Sequence, residues 1–289
     1  MPKLNEEQKN EIYITYTTNR KCTLLGLSKT YGVSRGLIRR MLIKHGATIR
    51  TNISEARQKY ELNNSYFNTI DSAEKAYHLG LMFSDGYLDK RNYCVYIALQ
   101  IGDRAVLERF KKSLGFNGPV SVKPPNKNDK RMRNLQDMAL LQVYNKELAL
   151  GLESTGCITK KSLVVQFPNP EILPEKFVKS FILGYFDGNG SIAVFNPAKC
   201  KTTSRTVTIM STFSFCESIK NIVEKILDVH VGISIRNRNG NEMATAFICG
   251  NRQTEIFLDW LYDGENFKME RKYQKYLDLK NYQQNKLIE

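Results

Sequence analysis

Two short segments of the sequence carry residues that could bind a metal ion. HLGLMFSDG and ILGYFDGNG share glycine at their third and ninth positions, and their eighth residues are Asp85 and Asn189. Carboxylate and amide oxygens are ligands for hard divalent cations, and a bound cation can neutralise a phosphate and activate water. The pattern predicts Asp85 and Asn189 as catalytic, metal-binding residues of a phosphodiester-hydrolysing site, with Gly86 and Gly190 as further metal ligands.

The same segments predict two helices that pack closely against each other. Gly80 and Gly184 hold the third positions, where the absence of a side chain permits two backbones to approach. Each helix would end near its eighth residue, beside a glycine that can terminate it. Two such ends, side by side, could each serve one strand of a duplex. The apolar residues expected around the crossing are Leu79, Leu81, Met82, Leu183, Tyr185 and Phe186.

Asn189 makes the two segments unequal, because it has no negative charge and should bind a metal less tightly than Asp85. Asp187 is not expected to replace it, since residues two apart on a helix point about 200° away from each other. We interpret Asp187 as structural, and Phe83 holds the same position in the first segment. Three explanations for Asn189 stay open: a variant that still cleaves, an enzyme that mainly nicks one strand, or a change made to trap a DNA complex.

The sequence that follows each segment repeats in the same order. An alternating run typical of a strand comes first, YCVYIALQI in one case and RTVTIMS in the other, and a helical run follows. A hairpin, with Asn239-Gly240 at its turn in the second copy, and a last helix complete each repeat. We interpret each repeat, opened by its motif helix, as an αββαββα unit, which gives an α+β fold of two pseudo-symmetric units at 69–168 and 169–289.

Residues 1–46 predict a module of three short helices with a helix-turn-helix pattern. Ser34 follows a Gly-Val turn and is a good N-cap for the last helix, which presents Arg35, Arg39 and Arg40. With Ser34, these arginines could reach the major groove of DNA. An ordinary helical bundle with a solvated basic face stays open. The predicted buried positions are Leu24, Leu27, Tyr31, Val33, Leu37, Ile38 and Leu42.

The chain is strongly basic, with 43 Lys and Arg residues against 29 acidic residues, a net charge of +14 and a pI near 9.4. This balance predicts a polyanionic partner. Basic residues cluster in a polar connector at 47–68 and in hairpin loops of both repeats, and clustering favours nucleic-acid contact over solvated charges. Strand alternation would put Ser234, Arg236 and Arg238 on one face. The predicted DNA-binding residues outside the N-terminal module are Arg50, Lys123, Lys127, Lys130, Arg131, Arg133, Lys201, Arg205, Ser234, Arg236 and Arg238.

The two segments resemble the paired LAGLIDADG motifs of single-chain homing endonucleases, and the similarity covers about residues 70 to 289. The resemblance implies saddle-shaped sheets on double-stranded DNA, Mg²⁺ or another divalent cation such as Mn²⁺, and a monomer without an obligate protein partner. It also implies a water-holding role for a polar residue where the first strand passes into a helix. Gln100 is that candidate catalytic residue, although an ordinary solvated Gln is equally open, and Ser211 is its expected counterpart.

Several other classes of protein are disfavoured. The six cysteines and three histidines lack zinc-site spacing, and scattered free cysteines are typical of a reducing compartment, so we expect a cytoplasmic protein. The family resemblance implies that the cell is bacterial or phage-infected. No apolar run approaches the roughly 20 residues of a membrane span. Three functions stay open: a site-specific DNA endonuclease of a mobile element such as an intron, a non-cleaving or nicking DNA-binding regulator, and an RNA-binding intron maturase.

Overall fold

The computed structural model describes residues 4–19, 22–49, 60–125, 136–159, 161–195, 204–238 and 240–286. The chain forms two compact units, Met1–Glu61 and Leu62–Glu289. The connector predicted at 47–68 therefore ends too late. Its last residues belong to the larger unit, because the side chains of Tyr66 and Phe67 are buried there.

The smaller unit contains the three expected helices, α1 (Glu6–Thr18), α2 (Leu24–Thr30) and α3 (Arg35–Lys44). The hydroxyl of Ser34 accepts a hydrogen bond of 3.2 Å from the backbone N–H of Leu37 and so caps α3, as predicted. Of the predicted core positions, Tyr31 and Leu37 are only partly buried. The buried core of this unit is Ile12, Tyr16, Leu24, Leu27, Val33, Ile38, Met41, Leu42 and Ala47.

The larger unit contains the predicted αββαββα order twice. The elements of the first repeat are α4 (Ala73–Ser84), β1 (Gly86–Asp89), β2 (Cys94–Gln100), α5 (Arg104–Ser113), β3 (Val120–Lys123), β4 (Met138–Tyr144) and α6 (Lys146–Ser154). Those of the second are α7 (Val178–Asn189), β5 (Gly190–Phe195), β6 (Ser204–Ser211), α8 (Phe213–Ile226), β7 (Gly232–Arg238), β8 (Asn241–Cys249) and α9 (Asn251–Tyr262). A further helix, α10 (Glu270–Lys286), follows the second repeat.

Each repeat folds its four strands into an antiparallel sheet with the same topology, β1-β2-β4-β3 and β5-β6-β8-β7. The registers also agree, since Gly86 pairs with Ile97 in one sheet and Gly190 pairs with Ile209 in the other. Along β2, β4, β6 and β8, side chains alternate between a buried face and a more open face, as half-buried sheets do.

The shared register corrects the expected counterpart of Gln100. Because Ile97 and Ile209 are equivalent, Gln100 corresponds to Thr212, and Ser211 corresponds to Leu99. Ser211 lies on the buried face of its sheet and is 2% exposed, whereas Gln100 is exposed. A shift of one residue along a strand moves a side chain to the opposite face of the sheet, and the sequence alone does not fix the register.

The helices α4 and α7 cross at the two predicted glycines. A Cβ atom on Gly80 would lie 2.6 Å from the backbone nitrogen of Tyr185, and one on Gly184 would lie 2.8 Å from the carbonyl carbon of Tyr77. Real Cβ atoms do not approach other atoms so closely. Both glycines are therefore required for the backbones to pack at this distance, and the crossing brings the ends of the two helices together.

Candidate functional site

Asp85 and Asn189 lie at equivalent helix ends, where each helix turns directly into the first strand of its sheet. Asp85 is the C-terminal cap of α4, Asn189 is the last residue of α7, and both side chains are exposed. A Cβ atom on Gly188 would lie 2.8 Å from Oδ2 of Asp85, so the carboxylate lies against the second motif. The structure thus brings the two predicted residues together. We call the surroundings of Asp85 the first half-site and those of Asn189 the second half-site.

The carboxylate of Asp85 is accessible to solvent but has protein on several sides. Desolvation by this surrounding protein raises the pKa of Asp85, and the charges of Lys272, Lys161 and Arg271 partly oppose the shift. The negative charge of the Asp85 carboxylate is therefore poorly solvated. A cation beside it would offset the free-energy cost of this desolvation.

A buried lysine lies at each half-site, and sequence reasoning missed both. Nζ of Lys161 donates to the carbonyl oxygen of Gly86, and Nζ of Lys272 donates to the carbonyl oxygens of Gly190 and Phe186, both at 2.6 Å. Burial lowers the pKa of both lysines, that of Lys272 to about 8. These contacts argue against the prediction that Gly86 and Gly190 bind a metal, because each carbonyl already faces an ammonium group.

A repeated signal in the sequence could have located these lysines. Both α6 and α9 are followed by a glycine with positive φ, Gly156 at 92° and Gly264 at 65°. Such glycines commonly end helices. Lys161 lies five residues after Gly156, in GCITKK, and Lys272 lies eight residues after Gly264, in GENFKMERK. The two side chains reach the equivalent carbonyl oxygens of Gly86 and Gly190.

Asp187 belongs to the helix interface, which matches the structural role predicted for it. The carboxylate is 1% exposed, and its Oδ2 accepts hydrogen bonds of 2.7 Å from the hydroxyl of Tyr77 and from the backbone N–H of Met269. Burial raises the pKa of Asp187 to about 6. This carboxylate therefore ties the second motif helix to the first and to the segment that carries Lys272.

The same segment also contacts the first repeat. Arg271 forms an ion pair of 3.1 Å with the buried Asp103, which lies just after β2. Arg109 on α5 donates a hydrogen bond of 2.6 Å to the carbonyl oxygen of Lys268. The chain between Lys268 and Lys272 is thus held by both repeats, so the position of Lys272 depends on the whole larger unit.

Gln100 and Lys123 lie in one row across the open face of the first sheet. Met138 pairs with Gln100 on one side and with Lys123 on the other, and directly paired residues share a face. Both polar side chains are exposed. The structure places Gln100 at the end of β2, as the strand-to-helix pattern predicted.

In the second sheet the predicted face is correct for two residues and wrong for a third. Ser234 pairs with Thr245 and Arg236 pairs with Met243, so both lie on the open face, and Arg236 is exposed. Arg205 was expected at the DNA-binding surface but is 3% exposed, on the buried face of β6, where it donates to the carbonyl oxygen of Leu279 at 2.8 Å. A side chain in this position cannot reach a ligand on the open face.

Only some of the other residues predicted to bind DNA have side chains among the described residues. Arg35, Arg39 and Arg40 are exposed on α3 of the smaller unit, beside the capping Ser34. Arg238 is part of β7, but its side chain lies outside the described residues. Arg50, Lys127, Lys130, Arg131, Arg133 and Lys201 also lie outside them.

The described residues contain no group of three or more His, Cys, Asp and Glu side chains arranged to hold a metal ion. No helix in the described ranges has the length and apolar character needed to span a membrane.

The chain is distantly similar to a curated protein of unknown function. It is 26% identical over 157 residues to an uncharacterized protein of Methanocaldococcus jannaschii, a region that covers 54% of this chain and 55% of that protein. The chain thus matches about half the length of this relative. No protein-family model matches the chain.

Several solved structures of LAGLIDADG proteins are similar to the chain. The homing endonuclease I-WcaI bound to its DNA recognition sequence has a TM-score of 0.48 and 12% identity, covering 78% of this chain and 94% of that one. The LAGLIDADG meganuclease I-AabMI bound to uncleaved DNA has a TM-score of 0.47 and 13% identity, covering 73% and 91%. The N-terminal LAGLIDADG domain of WhiA has a TM-score of 0.41 and 15% identity, covering 74% and 94%. The elements of the chain itself have the repeated α+β order that the sequence pattern predicted.

Proposed function

We propose that the chain is a metal-dependent, site-specific DNA endonuclease of a mobile genetic element, in which Asp85 is the main catalytic carboxylate. The main support for this proposal is that Asp85 and Asn189 lie side by side at the ends of the two crossed helices. Each of these residues stands directly before a sheet with one open face. Two equivalent centres, each next to its own sheet, suit the two strands of one duplex.

The residues of the first half-site fit a divalent cation. Asp85 offers an exposed carboxylate at the C-terminal end of α4, where the helix dipole adds negative potential. Its raised pKa has desolvation as the main cause, so a cation would stabilise the ionised form. Because the described residues supply few further acidic ligands, phosphate oxygens of the DNA and water would complete the coordination. A cation bound there would neutralise the scissile phosphate and lower the pKa of a bound water.

The surrounding residues have separate tasks in this proposal. Lys161 and Lys272 place positive charge beside the two half-sites, where it can stabilise the charge that develops on the phosphate. Lys123, Ser234 and Arg236 face the DNA from the open faces of the sheets, and Gln100 lies at the edge nearest the end of β2. The arginines of α3 would extend the footprint beyond the core target.

A second function, a DNA-binding regulator that does not cleave, is favoured by one observation. Asn189 contributes no charge to its half-site, so a cation binds there less strongly than at a carboxylate. If Asp85 alone supported too little metal binding, the same surfaces would still bind DNA. Cleavage therefore has to be measured separately from binding.

The test uses duplex targets selected from a randomised DNA library in Ca²⁺, cloned into supercoiled plasmid and then incubated with Mg²⁺. The unchanged chain is compared with Asp85→Asn and with Asp71→Asn. Asp71 is a matched control, since it is an exposed aspartate of the same unit that is bound to Lys75 at 2.9 Å. We expect nicked or linear plasmid from the unchanged chain and from Asp71→Asn, and from Asp85→Asn no linear product and only slow nicking of the strand served by Asn189.

Each other outcome changes the conclusion. Tight binding without cleavage by any of the three proteins would replace the endonuclease with the regulator. Cleavage of both strands at an unchanged rate in Asp85→Asn would remove Asp85 from the catalytic role. Tighter binding to structured intron RNA than to the selected duplex would favour the maturase.

A further inference from the structure

The amide of Asn189 is held in one orientation by its neighbours. Its Nδ2 donates a hydrogen bond of 3.2 Å to the hydroxyl of Tyr185. That hydroxyl donates to Oγ of Ser211 at 2.8 Å and also lies 3.3 Å from the carbonyl oxygen of Met210. A carbonyl can only accept, so the tyrosine proton is directed toward Ser211 and Met210 and its oxygen is left to accept from the amide. The nitrogen of Asn189 therefore faces the protein, and its Oδ1 lies on the other side.

The tyrosine that holds this amide is itself fixed. Tyr185 is 1% exposed, and its ring stacks on Phe215 with the ring centres 4.3 Å apart and an interplanar angle of 30°. Ser211 is 2% exposed at the end of β6. Buried packing therefore fixes the position of the Tyr185 hydroxyl. The exposed side chain of Asn189, which donates a hydrogen bond to it, is held in an orientation that it would not keep in water.

The first half-site has no such arrangement at the equivalent positions. Leu81 stands in place of Tyr185 in the motif, and Leu99 stands in place of Ser211 in the strand register. Both leucines are buried. A polar pair accompanies the asparagine and an apolar pair accompanies the aspartate.

The chemical difference between an amide and a carboxylate accounts for the polar pair beside Asn189 and the apolar pair beside Asp85. The two oxygens of a carboxylate are equivalent, so Asp85 offers an oxygen to a cation in either orientation. An amide has one oxygen that can bind a cation and one nitrogen that cannot. An amide therefore needs a partner that fixes its orientation, and the second half-site contains one.

We propose that Tyr185, held by Ser211, is a positioning residue that turns Oδ1 of Asn189 toward the cation and phosphate of the second half-site. The inference rests on the proposed function for its effect on cleavage, but the orientation of the amide is a property of the free chain. This positioning makes Asn189 a preorganised ligand of the second half-site. Because the amide is neutral, it binds a cation less tightly than Asp85 does. The strand served by Asn189 is accordingly cut more slowly than the strand served by Asp85.

The first experiment measures the amide itself by NMR on the free, full-length chain labelled with ¹⁵N-asparagine. The Nδ2 signals of Asn189 are assigned by their loss in Asn189→Asp. We expect their protons to exchange with solvent more slowly in the unchanged chain than in Tyr185→Phe, which removes only the hydroxyl and keeps the stacked ring. Exchange that is equally fast in both proteins would overturn the proposal, whether or not the chain cleaves DNA.

The second experiment is a double-mutant cycle with strand-specific labels on a target duplex in Mg²⁺. Asp85→Asn identifies the strand served by Asn189 as the strand whose cutting persists. Tyr185→Phe should slow that strand about three- to tenfold, the effect of one hydrogen bond, and change the other strand less than about twofold. In the Asn189→Asp background the same substitution should change neither strand by more than about twofold, because a carboxylate needs no orientation.

Two results would contradict the role of Tyr185 in cleavage. Equal slowing of both strands would indicate a general effect on the fold. An equally large effect in the Asn189→Asp background would show that the hydroxyl acts independently of the amide. A complete absence of cleavage in the unchanged chain would instead count against the proposed function, and the exchange measurement would still decide the orientation.

Discussion

The hydroxyl of Tyr77 donates a hydrogen bond of 2.7 Å to Oδ2 of Asp187, and so joins the two motif helices through residues 110 positions apart in the chain. Both groups are buried. The second donor to the same oxygen is the backbone N–H of Met269, three residues before Lys272. One buried carboxylate thus links the helix crossing to the segment that brings a lysine to the second half-site.

Removal of this hydroxyl should destabilise the larger unit. Tyr77→Phe keeps the ring but takes away one of the two donors to Oδ2 of Asp187, and a buried carboxylate that loses a donor costs about 1–3 kcal/mol. The free energy of unfolding in urea measures the loss. Tyr87→Phe is the control, since Tyr87 is 37% exposed. Equal stability of the two variants would show that the contact with Asp187 contributes nothing.

The glycines at the helix crossing should tolerate no side chain. Alanine is the better helix former by about 1 kcal/mol, but a Cβ at Gly80 or Gly184 would overlap the backbone of the other helix. The overlap should prevail, so Gly80→Ala should cost about 3 kcal/mol in urea unfolding. Gly102→Ala is the control in the same unit, because nothing lies within 4 Å of its added Cβ. A Gly80→Ala protein as stable as this control would contradict the close crossing.

The features that could be predicted from the sequence are those set by local pattern. The order of helices and strands follows from hydrophobic periodicity, and the crossing follows from Gly80 and Gly184 at matched positions of the two segments. The same comparison of segments brought Asp85 and Asn189 together. Each of these predictions needs only neighbouring residues and the repeat.

The features that could not be predicted depend on strand phase or on distant contacts. Arg205 and Ser211 were assigned to the wrong faces because alternation gives the period of a strand without fixing its starting point. Lys161 and Lys272 were missed because their partners, the carbonyls of Gly86 and Gly190, lie more than 70 residues away along the chain. The paths of the loops that carry them are set by the folded unit.

Lys272 should make stability depend on pH in the alkaline range. Burial lowers its pKa from 10.5 to about 8, so between these values the unfolded chain binds more protons than the folded chain, and stability rises as the pH rises. Relative to Lys272→Met, the unchanged chain should gain about 2 kcal/mol of unfolding free energy from about pH 8 to about pH 10. Lys275→Met, at an exposed position of the same helix, is the control and should follow the unchanged chain. Parallel curves for the unchanged chain and Lys272→Met would contradict the lowered pKa.

The exposed arginines of α3 should contribute to DNA affinity through direct contact. Arg39→Ala should weaken binding to a selected duplex and reduce the slope of log affinity against log salt by about 0.9, the value for one lost phosphate contact. Fluorescence anisotropy over a series of salt concentrations measures both quantities. The matched control is Lys9→Ala on α1, which removes one positive charge from the same unit at a lysine bound to Glu6 at 2.6 Å.

The comparison separates contact from overall charge. Both substitutions lower the net charge equally, so long-range attraction to DNA changes to a similar extent in the two variants. A recognition helix predicts a larger loss for Arg39→Ala, because only that residue would release counterions from a phosphate it touches. Equal, small losses in both variants would support the other interpretation of the smaller unit, a helical bundle with a solvated basic face, and would leave DNA binding to the larger unit.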